Sequence, residues 1–324
     1  MYSKPTLTYW NGRVDSETDL ESFRYHQRVI VTPITDLTIP AKGLNAFGMI
    51  GFKCDEGVKR NKGRIGAAEA PDFIRQSLAK LPCHLTRETK LVDVGDVVCE
   101  VEEMETAQDQ LGTAVAKVLE SEVTPIILGG GHETFYGHYL GARKFLGPKA
   151  KLGMINIDAH FDMRPYEKES SSGTMFKQIL DNDQNSRYLC VGIQKQGNTK
   201  ALFETAETNK VDYILEEELS LKVLDDTKHE INEFIKENDF IILTLCTDVI
   251  DSAYAPGVSA PSPFGLDPKL VRSLLRHVVS NDKILSFDIS EVNPSLDENN
   301  KTVTLAAHLV NEVLLHFTKR TNDC

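Results

Sequence analysis

The chain has 324 residues, 41% of them apolar and 26% charged, the balance of a soluble globular protein with a substantial core. Its 48 acidic against 36 basic side chains leave a net charge of −12, and no long basic block offers a nucleic-acid surface. No run approaches the ~18 apolar residues of a membrane span, and the polar N-terminus MYSKPTLTYWNGRVDSETDLESF lacks the apolar stretch of a secretory signal, so a cytoplasmic location is expected.

Residues 1–43 show no clear period and read as an N-terminal extension packed on one α/β domain that spans 1–324. After it, apolar runs alternate with amphipathic segments. A strand is predicted at FGMIGF near Phe47, then a helix PDFIRQSLAKL opened by Pro71, where the missing N–H costs nothing. A strand LVDVG near Leu91 and a helix from about Glu103 to Leu119 follow, then a strand PIILG near Pro125 and a helix from Glu133 to Phe145. Strands LGMINID near Leu152 and YLCVGI near Tyr188 precede a helix from Thr199 to Thr208. The last elements are a strand VDYIL near Val211, a helix from Thr227 to Lys236, strand FIILTLC near Phe240, a helix from Asp267 to Val278, strand ILSFDI near Ile284 and a helix from Thr302 to Phe317. Continuous apolar strands alternating with helices predict a doubly wound, mostly parallel sheet with helices on both faces. The six cysteines, Cys54, Cys83, Cys99, Cys190, Cys246 and Cys324, form no CxxC pair and read as reduced thiols.

Four strand ends carry unusual chemistry. In NIDAHFDMRP, Asp158, His160 and Asp162 alternate, and along an extended segment such residues share one side. The bland alternative, a polar strand-to-loop transition with a capping Asp, does not explain three ligand types aimed together where α/β sheets place their ligands. After PIIL comes GGGHETF, whose glycines allow close backbone approach and lead into His132; the GK[ST] of a phosphate loop is absent. After FIILTL comes CTDVIDSAYAPGVSAP, with Cys246 and Asp248 two apart and a loop turned by Pro256 and Gly257. In SFDISEVNP, Glu291 follows a strand and is either a solvated acid or a carboxylate for a cationic substrate group. His132, Asp158, His160, Asp162 and Asp248 suffice for one metal and leave room for two; carboxylate with imidazole suits Mn, Fe, Ni or Zn. Two ions about 3.5–4 Å apart would make hydroxide from water near neutral pH. GxSxG is absent, so a metal-activated water is the better nucleophile.

These segments, with NKGRIGAAEAPDFIR from Asn61 to Arg75, resemble the ureohydrolase family of arginases, agmatinases and formiminoglutamases in residue type and order. The resemblance implies an arginase-like doubly wound sheet, two manganese ions and a homo-oligomer, often of three or six subunits. It implies His132, Asp158, His160, Asp162, Cys246 and Asp248 as metal ligands, Asp162 as proton relay, and Glu291 as the group that orients an amidine. Arg164, Ser172 and Asn198 are then candidates for substrate contacts. Within the family the chain resembles the formiminoglutamase branch, in RPYEKESSSGTMFKQIL, GFKCDEGVKRNKGR and GIQKQGNTKALF. Arg164 stands where arginases have Asn, and Phe176 where they have His. The implied reaction converts N-formimino-L-glutamate and water to L-glutamate and formamide, a late step of histidine degradation, with Arg164 suited to clamp a carboxylate. The alternatives are an agmatinase, arginase or guanidinobutyrase, a single-metal amidohydrolase, or a catalytically weakened relative. The last rests on Cys246, which replaces an Asp that normally bridges both metals. Two readings stay open for it: a thiolate bridge that favours Zn or Fe, or a neutral buried thiol with a weak second site.

Overall fold

The computed structural model describes residues 1–38, 45–166 and 169–317; the boundary drawn at Gly43 and the thiol of Cys324 lie outside them. In chain order the elements begin with β1 (Tyr2–Ser3), α1 (Tyr25–Arg28), β2 (Ile30–Val31), β3 (Ala46–Lys53), α2 (Glu56–Arg60), α3 (Ala70–Leu78) and β4 (Lys90–Val98). Next come α4 (Met104–Glu120), β5 (Thr124–Leu128), α5 (Thr134–Leu146), β6 (Leu152–Ile157), α6 (Met175–Asn182) and β7 (Ser186–Ile193). The chain continues through α7 (Lys200–Thr208), β8 (Asp212–Leu215), α8 (Leu224–Lys236), β9 (Phe240–Cys246), α9 (Pro268–Val279), β10 (Ile284–Ser290) and α10 (Lys301–His316).

Among the described residues all the strands join one 10-stranded sheet in the order β1-β4-β3-β5-β10-β9-β6-β7-β8, with β2 beside β4. Among the strand pairings of the described residues, only β1–β4 is antiparallel. Successive strand residues point to opposite faces, and here each face meets helices. Ile241, Leu243 and Leu245 of β9 join a core with α3, α8, α9 and α10. Ile242 joins the opposite core with α4, α5, α6 and α7. Apolar cover on both faces explains why these strands read as unbroken apolar runs rather than alternating ones. After β5 the chain crosses to β6, and β10 and β9 later fill the gap, so four strands far apart in sequence become neighbours.

Three helices, α1, α2 and α6, and two strands escaped the sequence reading. α6 is eight residues long, too short for intrinsic helicity, and is held by burial of Met175, Phe176 and Ile179. The N-terminal stretch carries β1 and β2 because its aromatic residues find polar partners on the sheet: Trp10 Nε1 donates to Asp93 Oδ2 at 2.8 Å and Tyr2 OH to the Val94 carbonyl at 2.7 Å.

Arg75 closes the motif that opens at Asn61, and its role is structural. Its guanidinium is 1% exposed and reaches Asp96 at 2.6 Å and Asp93 at 3.0 Å. A buried cation of this kind is tolerable only with its carboxylates, and removing one partner strands the other charges. Arg75→Ala is expected to cost roughly 3–5 kcal/mol, measured as a lower urea midpoint at unchanged m-value.

Candidate metal centre

Because β5, β10, β9 and β6 are parallel, their C-terminal ends open on one edge of the sheet. Past β5 the glycine run hugs its neighbours: a Cβ on Gly130 would lie 1.8 Å from the Cys54 carbonyl oxygen, so no side chain fits. Glu291 N donates to the Gly130 carbonyl at 2.8 Å, and Glu291 Oε1 accepts from His132 N at 2.9 Å. Glu291, with φ 67°, thus clamps the turn that delivers His132, besides facing the cavity.

The three alternating residues converge by a different route from the one predicted. β6 ends at Ile157, the chain bends at Ala159–His160, and Asp162 adopts a left-handed φ of 49°. The extended alternation therefore stops before His160, and backbone turning brings the side chains together. Asn198 braces this bend: its Oδ1 accepts from Phe161 N at 3.0 Å, and its amide donates to the carbonyls of Ala159 and Gln194. Cys246 closes β9 and Asp248 sits in the turn Thr247–Val249, with Cys246 Sγ donating to Asp248 Oδ1 at 3.0 Å.

The result is two groups of donor atoms. His132, Asp158 and Cys246 form one, Asp158, His160 and Asp248 the other, with ligand atoms inside each group within 4.8 Å of one another. Asp158 belongs to both. His132 Nδ1 lies 3.0 Å from Asp158 Oδ2 and 2.8 Å from Asp162 Oδ2, and His160 Nδ1 lies 3.3 Å from Asp248 Oδ2. All six predicted ligands therefore meet in one place.

The electrostatics show what the cluster lacks on its own. Burial, then the Asp158 charge, raises the Asp162 carboxyl; burial likewise raises Asp248. Burial opposes ionisation of Asp158 too, but His132 and His160 more than offset it and hold Asp158 low. Both imidazoles are raised well above their ordinary value: burial lowers them, and the carboxylates outweigh it. Burial followed by the Asp158 charge keeps the Cys246 thiol protonated. The imidazolium protons thus occupy the places of positive charge that divalent cations, which suit carboxylate and imidazole donors, would fill.

A support that the sequence reading overlooked lies beneath His132. Its Nε2 is 3.1 Å from Thr244 Oγ, which donates to Asp288 Oδ1 at 2.7 Å. The other Asp288 oxygen is 2.7 Å from His138 Nδ1, and His138 Nε2 meets Ser286 Oγ. Since the Thr244 proton is committed to Asp288, its oxygen accepts from His132 Nε2–H, and Nδ1 is the nitrogen left for a cation. Thr244 and Asp288 are register partners on β9 and β10. The signal was present in SFDIS, where Ser286, Asp288 and Ser290 put three polar groups on one side of a buried strand.

Above the centre lies a cavity of about 100 Å³ with His132, His160, Asp162, Cys246, Asp248 and Glu291 at its base. Arg164 is exposed at its border and Ser172 and Asn198 also line it. Part of its wall went unread: Val58, Asn61, Gly63, Ser259 and Ala260. These come from segments stitched together by Arg64, which donates to the Val258 and Ser259 carbonyls, and by Asn293, which donates to the carbonyls of Arg64 and Ile65. Phe176 does not line the cavity; it is fully buried and stacks on Tyr188 with ring centroids 3.9 Å apart.

A family model described as the arginase family matches residues 45–316. The chain belongs to the arginase family. It is 54% identical over 320 residues to a formimidoylglutamase from Geobacillus sp. (strain WCH70), covering 99% of this chain and 98% of that one. Among solved structures, the formimidoylglutamase from Bacillus subtilis subsp. subtilis str. 168 is similar at a TM-score of 0.76 and 25% identity, covering 88% of this chain and 91% of that one. The Trypanosoma cruzi formiminoglutamase solved with Mn2+ shares the fold, at a TM-score of 0.76, 23% identity and coverage of 90% and 99%. The arginase-like α/β fold expected from the motifs is the fold found.

Two outcomes are expected. Thr244→Val removes the hydroxyl that orients His132 and should weaken divalent-metal binding about 10–100-fold, measured by competition against a fluorescent chelator. Burial raises Glu291 to about 8 and Glu133 to about 7 without a cation. Both are then protonated when folded and ionised when unfolded, so above the ordinary carboxylate range, ~4.5, the folded state binds more protons. The metal-free protein should therefore lose stability as pH rises toward 8, seen as a falling melting temperature that Glu291→Gln flattens.

Proposed function

We propose that this chain hydrolyses N-formimino-L-glutamate to L-glutamate and formamide, with two divalent ions, manganese among them, held by His132, Asp158, His160, Asp162, Cys246 and Asp248. The carrying observation is the pair of donor groups that share Asp158 at the base of one cavity. The formimidoylglutamase relative at 54% identity over nearly the whole chain supports the substrate, and the Mn2+ in the Trypanosoma cruzi structure supports the metal. Bound divalent cations would lower the pKa of a coordinated water so that hydroxide is available near neutral pH.

The chain's own groups do the rest. Glu291, at the base of the cavity, faces the cationic amidine and orients its carbon toward the attacking oxygen. Asp162 takes the proton released from water and passes it to the glutamate nitrogen as the carbon–nitrogen bond breaks. Arg164, at the border, pairs with a substrate carboxylate; its planar fork matches that group. Ser172 is placed to add a hydroxyl contact along the same side, while Asn198 spends its amide on the bend around His160 and shapes the cavity through it.

Purified protein supplied with Mn2+ should release formamide from N-formimino-L-glutamate and no urea from arginine or agmatine. Asp162→Asn should lower kcat by roughly 10²–10⁴, whereas Arg164→Ala should act mainly on KM. Urea release, or no turnover with any divalent ion, would be incompatible with this function.

A further inference from the structure

Cys246 departs in chemistry from every other donor around it. Its Sγ shares a group with ligand atoms of His132 and Asp158, all within 4.8 Å of one another, and lies 3.0 Å from Asp248 Oδ1 in the second group. The sulfur therefore stands between the two donor groups. Its backbone is fixed by pairing with Ser290 at the end of β10, and its side chain is 2% exposed at the base of the cavity. A cysteine retained only as a small hydrophobe would sit among apolar groups; this one sits among imidazole and carboxylates.

Given that the two donor groups hold divalent ions, as in the function above, we infer that Cys246 is a sulfur ligand that makes the position shared with His132 and Asp158 prefer a thiophilic ion. Zinc, cobalt or ferrous iron is favoured there, and the position of His160 and Asp248 is left to a harder ion such as manganese. Soft thiolate selects zinc and iron, whereas carboxylate suits manganese, and manganese binds most weakly in the first-row series. Zinc–sulfur bonds run near 2.3 Å against about 2.0–2.2 Å for oxygen, so sulfur and oxygen at this position do not serve the same ion equally. The centre becomes chemically asymmetric although Asp158 is common to both halves.

The test uses the full-length protein stripped of metal and titrated with Co2+. The expected result is a near-ultraviolet thiolate-to-cobalt charge-transfer band that grows in with bound cobalt and is missing from both Cys246→Ser and Cys246→Asp. Competition between Zn2+ and Mn2+, read by equilibrium dialysis and elemental analysis, should show the zinc-over-manganese preference falling at least about tenfold in Cys246→Asp. Circular dichroism of the metal-free variants reports folding; should one variant misfold, the other carries the comparison, and the wild-type band is read independently of both. Cobalt binding by the wild type without that band, or an unchanged zinc-over-manganese preference in Cys246→Asp, overturns the inference. Formamide release by the Mn2+-loaded wild type in that case leaves the hydrolase reading standing. A wild type that binds no divalent ion overturns both.

Discussion

The constraint on which this molecule turns is the crowding of acids and imidazoles at the ends of four adjacent strands. Asp158 is fully buried and serves both donor groups. Burial, and then its charge, raise Asp162 and Asp248, while His132 and His160 offset burial and sustain the charge of Asp158 itself. Buried like charges of this kind are costly unless positive charge lies among them. Divalent cations at such a site would relieve that repulsion, and without them protons on His132 and His160 supply the positive charge.

The sheet makes that crowding possible. Antiparallel neighbours would send alternate strand ends to opposite edges, whereas β5, β10, β9 and β6 all finish on one. The interleaved order then brings Gly129 and Glu291, distant in sequence, into the same few ångströms: Gly129 N donates to the Ile289 carbonyl and Glu291 N to that of Gly130. Beneath the ligands the polar row of Thr244, Asp288 and His138 takes the place of apolar packing and sets the imidazole of His132. A hydroxyl that is already donating can only accept, and this one proton selects which ring nitrogen faces the centre.

Several motif residues serve architecture as well as chemistry. The glycine run exists because a strand-end carbonyl, that of Cys54, lies where a Cβ would go. Asn293 and Arg64 tie three loops into one cavity wall, and Arg75 fastens α3 to β4 through Asp93 and Asp96. Asn198, a candidate substrate contact that lines the cavity, also bonds the backbone around the bend at His160. Such residues persist in a motif for reasons that a residue-type argument alone does not separate from direct catalysis.

What was legible in the amino-acid order was local: apolar runs of strand length, amphipathic helices, a proline at a helix start, and ligand types clustered at strand ends. These determined the α/β class and eight of the strands and gathered five candidate donors, with two readings for Cys246, because hydrophobic period and ligand chemistry are properties of short segments. Only the tertiary structure decided how the donors divide into two groups, that Asp162 enters through a left-handed backbone, and that Cys246 lies between the groups. The helix at Met175 and the strands of the N-terminal stretch likewise depend on burial against distant residues, which no local window contains. Thr244 and Asp288 meet only because β9 and β10 pair in one register, and pairing between strands 44 residues apart is written in the packing of the whole sheet.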